Sequence, residues 1–383
     1  MKIGLFTDYF TDTSSFGGGI GKVVNHLASG LAELGHKVYV FTNSSSNNDE
    51  VYINGNLAIL KFARTLRIEG TDLSLRLLWE PLRHKIDIAH IEGGVLATLS
   101  GLLYSALRRT PLVITIHHTG DKWKNPIKNL ILKTYELLVI NIVLKKANKI
   151  IIPSKYLLLQ SSLVKRYWKK TVYVPNGVES LPISLSKEEA RKRLNIPNDI
   201  KVILFVGTLC RRKGVHILLN AARYVLSKYP RCTFILVGRE TKEATEFRRT
   251  VEKDKLLSEN VVFTGFVNEK LKNIYYRAAD IFVLPSLSEG FGLVLLEAAR
   301  YNLPLVVSDL PSFKIIIHDG YNGLFSRRGD PADLANKILY LLRNEKIAKR
   351  IGRNAGKLAL RFSWRQTTNK TLGVYVNIIK QGN

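Results

Sequence analysis

Only two cysteines, Cys210 and Cys232, occur in 383 residues. Neither stands in a CxxC pair or a Cys/His cluster, which excludes a disulfide framework and a zinc site and points to a reducing compartment. Long apolar runs are missing as well. No window approaches the roughly 18 unbroken apolar residues of a spanning helix. The opening MKIGLFTDYFTDTSS is apolar too briefly for a signal peptide and lacks a small-residue cleavage site. The best apolar run, Leu137–Leu144, contains Asn141 and is closed by Lys145 and Lys146, so it reads as a buried or interfacial helix. No Asp-x-Asp metal motif is present. Acids are scarce too: 31 face 58 Lys and Arg, a net charge of +27.

What is there fits a folded protein of two domains, since one core rarely grows to this length. An apolar share of 46% rules out disorder as the default. The positive charge is uneven. Arg108–Lys170 carries 14 Lys and Arg against two acids, Asp121 and Glu136. Such a stretch attracts a polyanion, whether an anionic membrane surface, nucleic acid or a phosphorylated substrate, or it simply solvates a surface helix.

Along the chain, Lys2–Thr7 reads as a buried parallel strand, followed by a polar loop and FGGGIGK at Phe16–Lys22. From Ile20 onward Val23, Val24, Leu27, Leu31 and Leu34 recur at helical spacing, and Gly35 stops the helix before the strand His36–Thr42. This β-loop-α-β unit begins a doubly wound parallel sheet. Further strands are expected at Asn56–Phe62, Ile86–Ile91, Leu112–Ile116, Lys149–Ile152 and Thr171–Val174. A second series follows: a capped helix Lys187–Leu194, strand Val202–Val206, helix Gly214–Tyr229, and strands Cys232–Val237, Val261–Phe263, Ile281–Leu284 and Leu305–Val307. The expected fold is therefore α/β, with two Rossmann-like doubly wound domains facing a cleft. Residues 1–178 form the first, 179–362 the second, and 363–383 a helix crossing back to the first.

Four constellations carry chemistry. Gly17, Gly18, Gly19 and Gly21 precede a helix and can bring backbone N–H groups to an anion. They do not make a dinucleotide fingerprint, because GxGxxG fails at Lys22 and Val24 and no acid ends the second strand. Next, Arg211, Arg212 and Lys213 crowd the strand-to-helix turn GTLCRRKG, which suits a diphosphate. Third, Glu289 lies on a glycine-flanked loop after the strand ending at Leu284, and Glu297 lies on the helix beginning near Gly292. Carboxylates so placed accept from sugar hydroxyls. Last, His117 and His118 follow an apolar strand, where a histidine can donate to a hydroxyl or phosphate.

Together these residues resemble family 4 glycosyltransferases, retaining enzymes of the GT-B fold. The resemblance spans nearly the whole chain: the GGG loop, the histidine after a strand, Ile152-Pro153-Ser154, Val174-Pro175-Asn176-Gly177-Val178, the GxxxxxKG turn, Glu289-x7-Glu297 and Phe362-Ser363-Trp364 come in the family's order. It implies a hexose-type transfer from a UDP- or GDP-linked sugar to a glycan or lipid-linked acceptor, with no cofactor and no metal. Gly18 and Gly19 would offer backbone donors to the diphosphate, and His117 would contact the transferred sugar. Lys213, with Arg212 or Arg211, would neutralise the leaving group. Glu289 would hold sugar hydroxyls, Glu297 the ribose, and Phe291, Gly292 and Leu293 would bring backbone N–H groups to sugar and phosphate. Three positions depart from the family: Thr208 replaces a frequent Arg, His118 follows His117, and Lys314-Ile315-Ile316 lacks a common Glu.

Two other readings compete. A nucleotide-sugar epimerase or hydrolase would use the same donor site without an acceptor surface. A nucleic-acid-binding protein would account for the high pI, but no zinc finger, RRM signature or basic heptad helix is present. The lysines around Leu130–Leu144 fit a peripheral contact with an anionic leaflet, which places the expected enzyme in the cytoplasm on the inner face of the membrane.

Overall fold

A computed structural model describes residues 1–10, 18–68, 71–117, 134–179 and 185–382. Gly17, His118, Leu130, Lys122, Lys124, Lys128 and Lys133 lie outside the described residues. The chain divides into two compact units, Met1–Gly177 with Trp364–Asn383, and Val178–Ser363.

The strands of the first unit comprise central ones buried on both faces, as parallel strands require, and less buried ones toward the edges. They are β1 (Lys2–Thr7), β2 (Lys37–Asn43), β3 (Glu50–Asn54), β4 (Leu57–Phe62), β5 (Leu66–Ile68), β6 (Thr71–Leu73), β7 (Ile88–Gly93), β8 (Leu112–Thr115), β9 (Lys149–Ile152) and β10 (Thr171–Tyr173). The main sheet runs β10-β9-β8-β7-β1-β2-β4-β3, and β5 and β6 pair separately. All neighbours in the main sheet are parallel except β3 with β4. Alternation sorts the side chains. Phe6, Ile91, Ile114 and Ile152 enter one core layer, while Leu5, Ile88, Val113 and Ile151 enter another. The helix Gly18–Glu33 covers the second layer through Val24, Leu27 and Leu31. The C-terminal helix Trp364–Gly382 joins it there through Val374, Tyr375 and Ile378, and Trp364 stacks on His26 at 4.5 Å.

The second unit repeats the plan with β11 (Lys201–Val206), β12 (Cys232–Val237), β13 (Val261–Gly265), β14 (Ile281–Leu284), β15 (Leu305–Ser308) and β16 (Leu324–Ser326). Its order is β13-β12-β11-β14-β15-β16, parallel throughout. The helix Lys187–Arg193 opens with a full capping box between Ser186 and Glu189.

Both sheets reverse strand order at their middle. From β1 the chain first builds outward through β2, then returns to place β7 on the other side; from β11 it builds through β12, then returns with β14. Such switch points open a crevice beyond the carboxyl ends of the strands, where ligands bind in this architecture. The loops after β1 and β7 in one unit, and after β11 and β14 in the other, border these crevices.

The sequence expectation missed β3, the β5–β6 pair and β16. The Leu137–Leu144 run divides into a π-helical turn, Glu136–Ile140, and a helix, Asn141–Lys146. Val143 and Leu144 are buried, whereas Leu137, Leu138 and Ile142 are exposed.

Candidate active site

In the second unit, the turn after β11 is held against the end of β14. Gly214 adopts φ +75°, and a Cβ there would sit 1.9 Å from the Pro285 carbonyl oxygen. Only glycine lets the backbone come so close while left-handed. The Arg212 carbonyl accepts from Leu287 N–H at 2.8 Å, which ties the two loops together. Lys213 is thereby turned onto Glu289, and their ammonium and carboxylate form a close ion pair with side chains only 14% and 12% exposed. Arg212 donates to the Ser288 carbonyl at 3.3 Å.

Arg211 goes elsewhere. Its backbone N–H donates to Glu243 at 2.6 Å and its guanidinium pairs with Glu246. The expected trio of cations is thus Lys213 and Arg212 near Glu289, with Arg211 engaged by the helix Ala244–Glu252.

Behind this pair, Gly292 precedes the helix Leu293–Arg300 and supplies no side-chain cap. The first N–H groups of that helix have no intrahelical acceptor, and its dipole favours an anion there. Phe291 is buried and packs edge-on against Phe362 at 6.2 Å, so its side chain is taken up by packing. Glu297, one helical turn further in, is buried; Tyr276 O–H donates to its Oε2 at 2.9 Å, and Lys272 Nζ lies 3.2 Å from that oxygen. Burial, then the Glu297 charge, pushes the Tyr276 phenol well up, so it stays protonated and donating.

The first unit carries a second cluster. After β1, the Asp8 carboxylate accepts from the Leu96 and Ala97 N–H groups at 3.1 and 2.9 Å and so caps the helix Val95–Arg108. Gly94, at φ +101°, makes room: a Cβ there would be 2.2 Å from Asp8 Cγ. Burial pushes the Asp8 carboxyl up to about 6, against the downward pull of those amides and Asn43.

At the ends of β7 and β8, His117 Nε2 lies 2.7 Å from Glu92 Oε2. Glu92 is sealed from solvent. Burial raises its carboxyl, but His90, His117 and Thr115 outweigh that and hold it below the ordinary value. Burial in turn holds the His90 ring low. The two Glu92 oxygens face Thr115, His90 and His117, and they take these contacts as an acceptor-only carboxylate does. Gly18 and Gly19 open the helix Gly18–Glu33, Gly18 at φ +62°, and their N–H groups belong to its first turn.

Sequence reading singled out Lys213, Glu289, Glu297, Gly292 and His117 and did not single out Asp8, His90, Glu92 or Tyr276. One signal was available. In DIAHIEG, His90 and Glu92 interrupt a strand whose two faces are both buried, so each had to be a partnered polar group in the core. Among the described residues, no group of three or more His, Cys, Asp or Glu could hold a metal ion.

Two Rossmann-like units with basic and acidic loops at their switch points define the GT-B class of sugar transferases, and known proteins bear this out. The model of "Glycosyltransferase Family 4" matches residues 17–180, and that of "Glycosyl transferases group 1" matches residues 186–358. The chain belongs to this family of glycosyltransferases. It is 26% identical over 374 residues to the alpha-monoglucosyldiacylglycerol synthase of Acholeplasma laidlawii, covering 93% of this chain and 92% of that one. It is 29% identical over 378 residues to the O-antigen chain mannosyltransferase C of Escherichia coli, covering 98% and 96%. The fold matches that of Anabaena Alr3699/HepE, solved in complex with UDP-glucose, with a TM-score of 0.76 at 20% identity, covering 98% of this chain and all (100%) of that one.

Proposed function

We propose that this glycosyltransferase moves a hexose-type sugar, with retention, from a UDP- or GDP-linked donor to a glycan or lipid-linked acceptor, working on the cytoplasmic face of a membrane. The observation that carries the reading is the Lys213–Glu289 pair beside the uncapped helix Leu293–Arg300. It sets a cation and free N–H groups for a diphosphate next to a carboxylate for sugar hydroxyls.

In this reading the bond from the sugar's anomeric carbon to the diphosphate oxygen breaks as the acceptor oxygen attacks from the same face. The acceptor's proton passes to the departing phosphate. Lys213, Arg212 and the Leu293 and Val294 amides stabilise the charge that develops on the diphosphate, which is where fixed dipoles contribute most. Gly18 and Gly19 add backbone donors. Glu289 orients the sugar, Glu297 holds the ribose, and His117 contacts the sugar near its reacting carbon. These cations do the work a metal would otherwise do, so the reaction is metal-independent.

Support for a nucleotide sugar comes from the UDP-glucose complex of the Anabaena protein. Support for a lipid acceptor comes from the diacylglycerol named in the Acholeplasma relative, and from Leu137, Leu138 and Ile142 exposed beside Lys145 and Lys146. No helix among the described residues is long and apolar enough to cross a membrane.

The test is a thermal-shift screen with UDP, GDP, ADP and NAD in EDTA, followed by turnover of the matching nucleotide sugar. A ligand that binds only the folded state raises the melting temperature. A shift with UDP or GDP that Glu297→Ala abolishes, with transfer intact in EDTA, is expected. A shift with NAD alone, or activity that returns only with Mn²⁺, would sink the donor assignment or the metal-independent mechanism respectively. Rapid epimerisation or release of free sugar without acceptor would make the protein an epimerase or hydrolase instead.

A further inference from the structure

Behind His117 stands more than the Glu92 carboxylate alone. Glu92 Oε1 accepts from Thr115 Oγ1 at 3.2 Å. His90 Nε2 lies 2.7 Å from Thr115 Oγ1 and 3.2 Å from Glu92 Oε1. On its other side, His90 Nδ1 lies 2.5 Å from the Tyr375 hydroxyl. His90 and Tyr375 are fully buried, and Glu92 and Thr115 nearly so. The sequence explains the grouping. His90 and Glu92 alternate with Ala89 and Ile91 on β7, so they share the face that β8 lines with Val113 and Thr115 and that the C-terminal helix covers with Tyr375.

Donor and acceptor chemistry orders the protons. An ionised carboxylate only accepts, so the His117 nitrogen facing Glu92 carries a hydrogen. Thr115 commits its single O–H to Glu92, and its oxygen then accepts from His90 Nε2–H. His90 Nδ1 is left as a bare acceptor, and Tyr375 donates to it. The phenol keeps its proton, because burial and then the Glu92 charge push it well above its ordinary range. Donors thus run inward from Tyr375 and from His117, and both lines end on Glu92.

We propose that Glu92, backed by Thr115, His90 and Tyr375, is a positioning residue that holds His117 as its Nε2–H tautomer and leaves Nδ1 to accept from a sugar hydroxyl. The inference rests on reading His117 as the ring that touches the transferred sugar. It changes that ring's task. With Nε2–H committed to Glu92, the ring accepts a hydrogen bond at its other nitrogen rather than donating one. Stability alone does not account for the arrangement. A buried ion and its partners are commonly replaced by well-packed apolar groups at no loss, and the neighbouring positions of this sheet are apolar. The cluster also sits at the carboxyl ends of β7 and β8, the ligand-facing edge of such a sheet.

The experiment is tautomer determination on the full-length, ligand-free chain labelled with ¹⁵N-histidine. Long-range ¹H–¹⁵N correlations identify the protonated nitrogen of each ring, and His90→Asn and His117→Asn assign the signals. Both rings are expected to be protonated at Nε2. Thr115→Val keeps the branched shape while removing the hydroxyl. It is expected to mix the tautomers of His117 and to lower kcat roughly 10-fold, as misorientation of a reacting group does. Donor KM should rise less than kcat falls, because only one sugar contact is disturbed while the nucleotide and diphosphate contacts are untouched. Thr115→Ser restores both readouts. Tyr375→Phe is expected to mix the tautomers of His90.

A wild-type His117 protonated at Nδ1 overturns the proposal. So does a folded Thr115→Val variant in which His117 stays wholly Nε2-protonated. If the tautomers behave as expected but His117→Asn leaves turnover intact, the role of His117 in transfer fails, and Glu92 is left ordering a ring that does not touch the sugar.

Discussion

Lys213 and Glu289 reach each other from loops 76 residues apart, and their ion pair stands just ahead of the helix Leu293–Arg300, where the proposed donor would set its diphosphate and sugar. The pair is self-satisfied without ligand. A bound diphosphate must therefore draw Lys213 partly away from Glu289, which frees the carboxylate for sugar hydroxyls. The two substitutions should consequently split. Lys213→Ala is expected to lower kcat by about 10²- to 10³-fold, the usual cost of losing one group that stabilises developing charge. Glu289→Gln removes the competitor for Lys213, so UDP or GDP alone should bind more tightly while sugar transfer falls. Calorimetric titration of the free nucleotide beside turnover of the nucleotide sugar reads both. Equal weakening of nucleotide binding in the two variants would contradict this division of labour.

Gly214 makes that pair possible. Alanine there meets the Pro285 carbonyl at 1.9 Å and must also hold φ +75°. The conformational term alone is roughly 1–2 kcal/mol for a residue with a side chain, and the clash adds to it. Gly214→Ala should lower the melting temperature and, by moving the turn, lower kcat further than the loss of folded protein explains. Gly373→Ala is the control, because a Cβ there meets nothing within 4 Å. A Gly214→Ala variant as stable and active as the control would show that the loop has room to shift.

Legibility in the sequence followed the range of the forces involved. The central strands were readable because a strand buried on both faces is a short, nearly unbroken apolar run, as in Val202–Val206 and Ile281–Leu284. The edge strand β3 was not. Every one of its residues is exposed, so no burial pattern marks it. β16 has three residues, too few for any period to register. The glycine-flanked motifs could be placed by resemblance, yet Arg211 could not, because its partners Glu243 and Glu246 lie on a helix whose packing no local rule fixes. The cluster behind His117 was hidden for the same reason: Tyr375 is 285 residues from His90.

Asp8 sets a pH dependence of stability. Its folded pKa, about 6, stands above the ordinary aspartate value of 3.8, with burial the main cause. Between those two values the unfolded chain has released this proton while the folded chain keeps it. The contribution of Asp8 to stability therefore falls as pH rises from about 4 to 6, then levels off, at a total of ~3 kcal/mol for a shift of this size. Asp8→Asn keeps one acceptor oxygen, enough for one of the Leu96 and Ala97 amides, at a pH-independent cost, and does not titrate. The difference in melting temperature between Asp8→Asn and the wild type should move in the variant's favour across that window and stay flat above pH 7. A difference that is constant from pH 4 to 8 would mean Asp8 ionises alike in both states.

The exposed apolar side chains Leu137, Leu138 and Ile142 test the membrane reading. Leu137 and Leu138 are 61% and 60% exposed although neighbouring Val143 and Leu144 are buried, so the segment shows one apolar face to its core and another outward. Removing a leucine side chain from water is worth roughly 1.5–3 kcal/mol, and each lysine near an anionic surface adds about 1 kcal/mol. Leu138→Ser should thus reduce partitioning onto anionic vesicles about tenfold, through lost apolar burial. Lys145→Glu with Lys146→Glu should weaken it most at low salt, because the screening length shortens as salt rises. Flotation with phosphatidylglycerol and with purely zwitterionic vesicles separates the two contributions. If the wild-type chain stays unbound to anionic vesicles at low ionic strength, the outward leucines serve some other contact and the acceptor must be sought among soluble glycans.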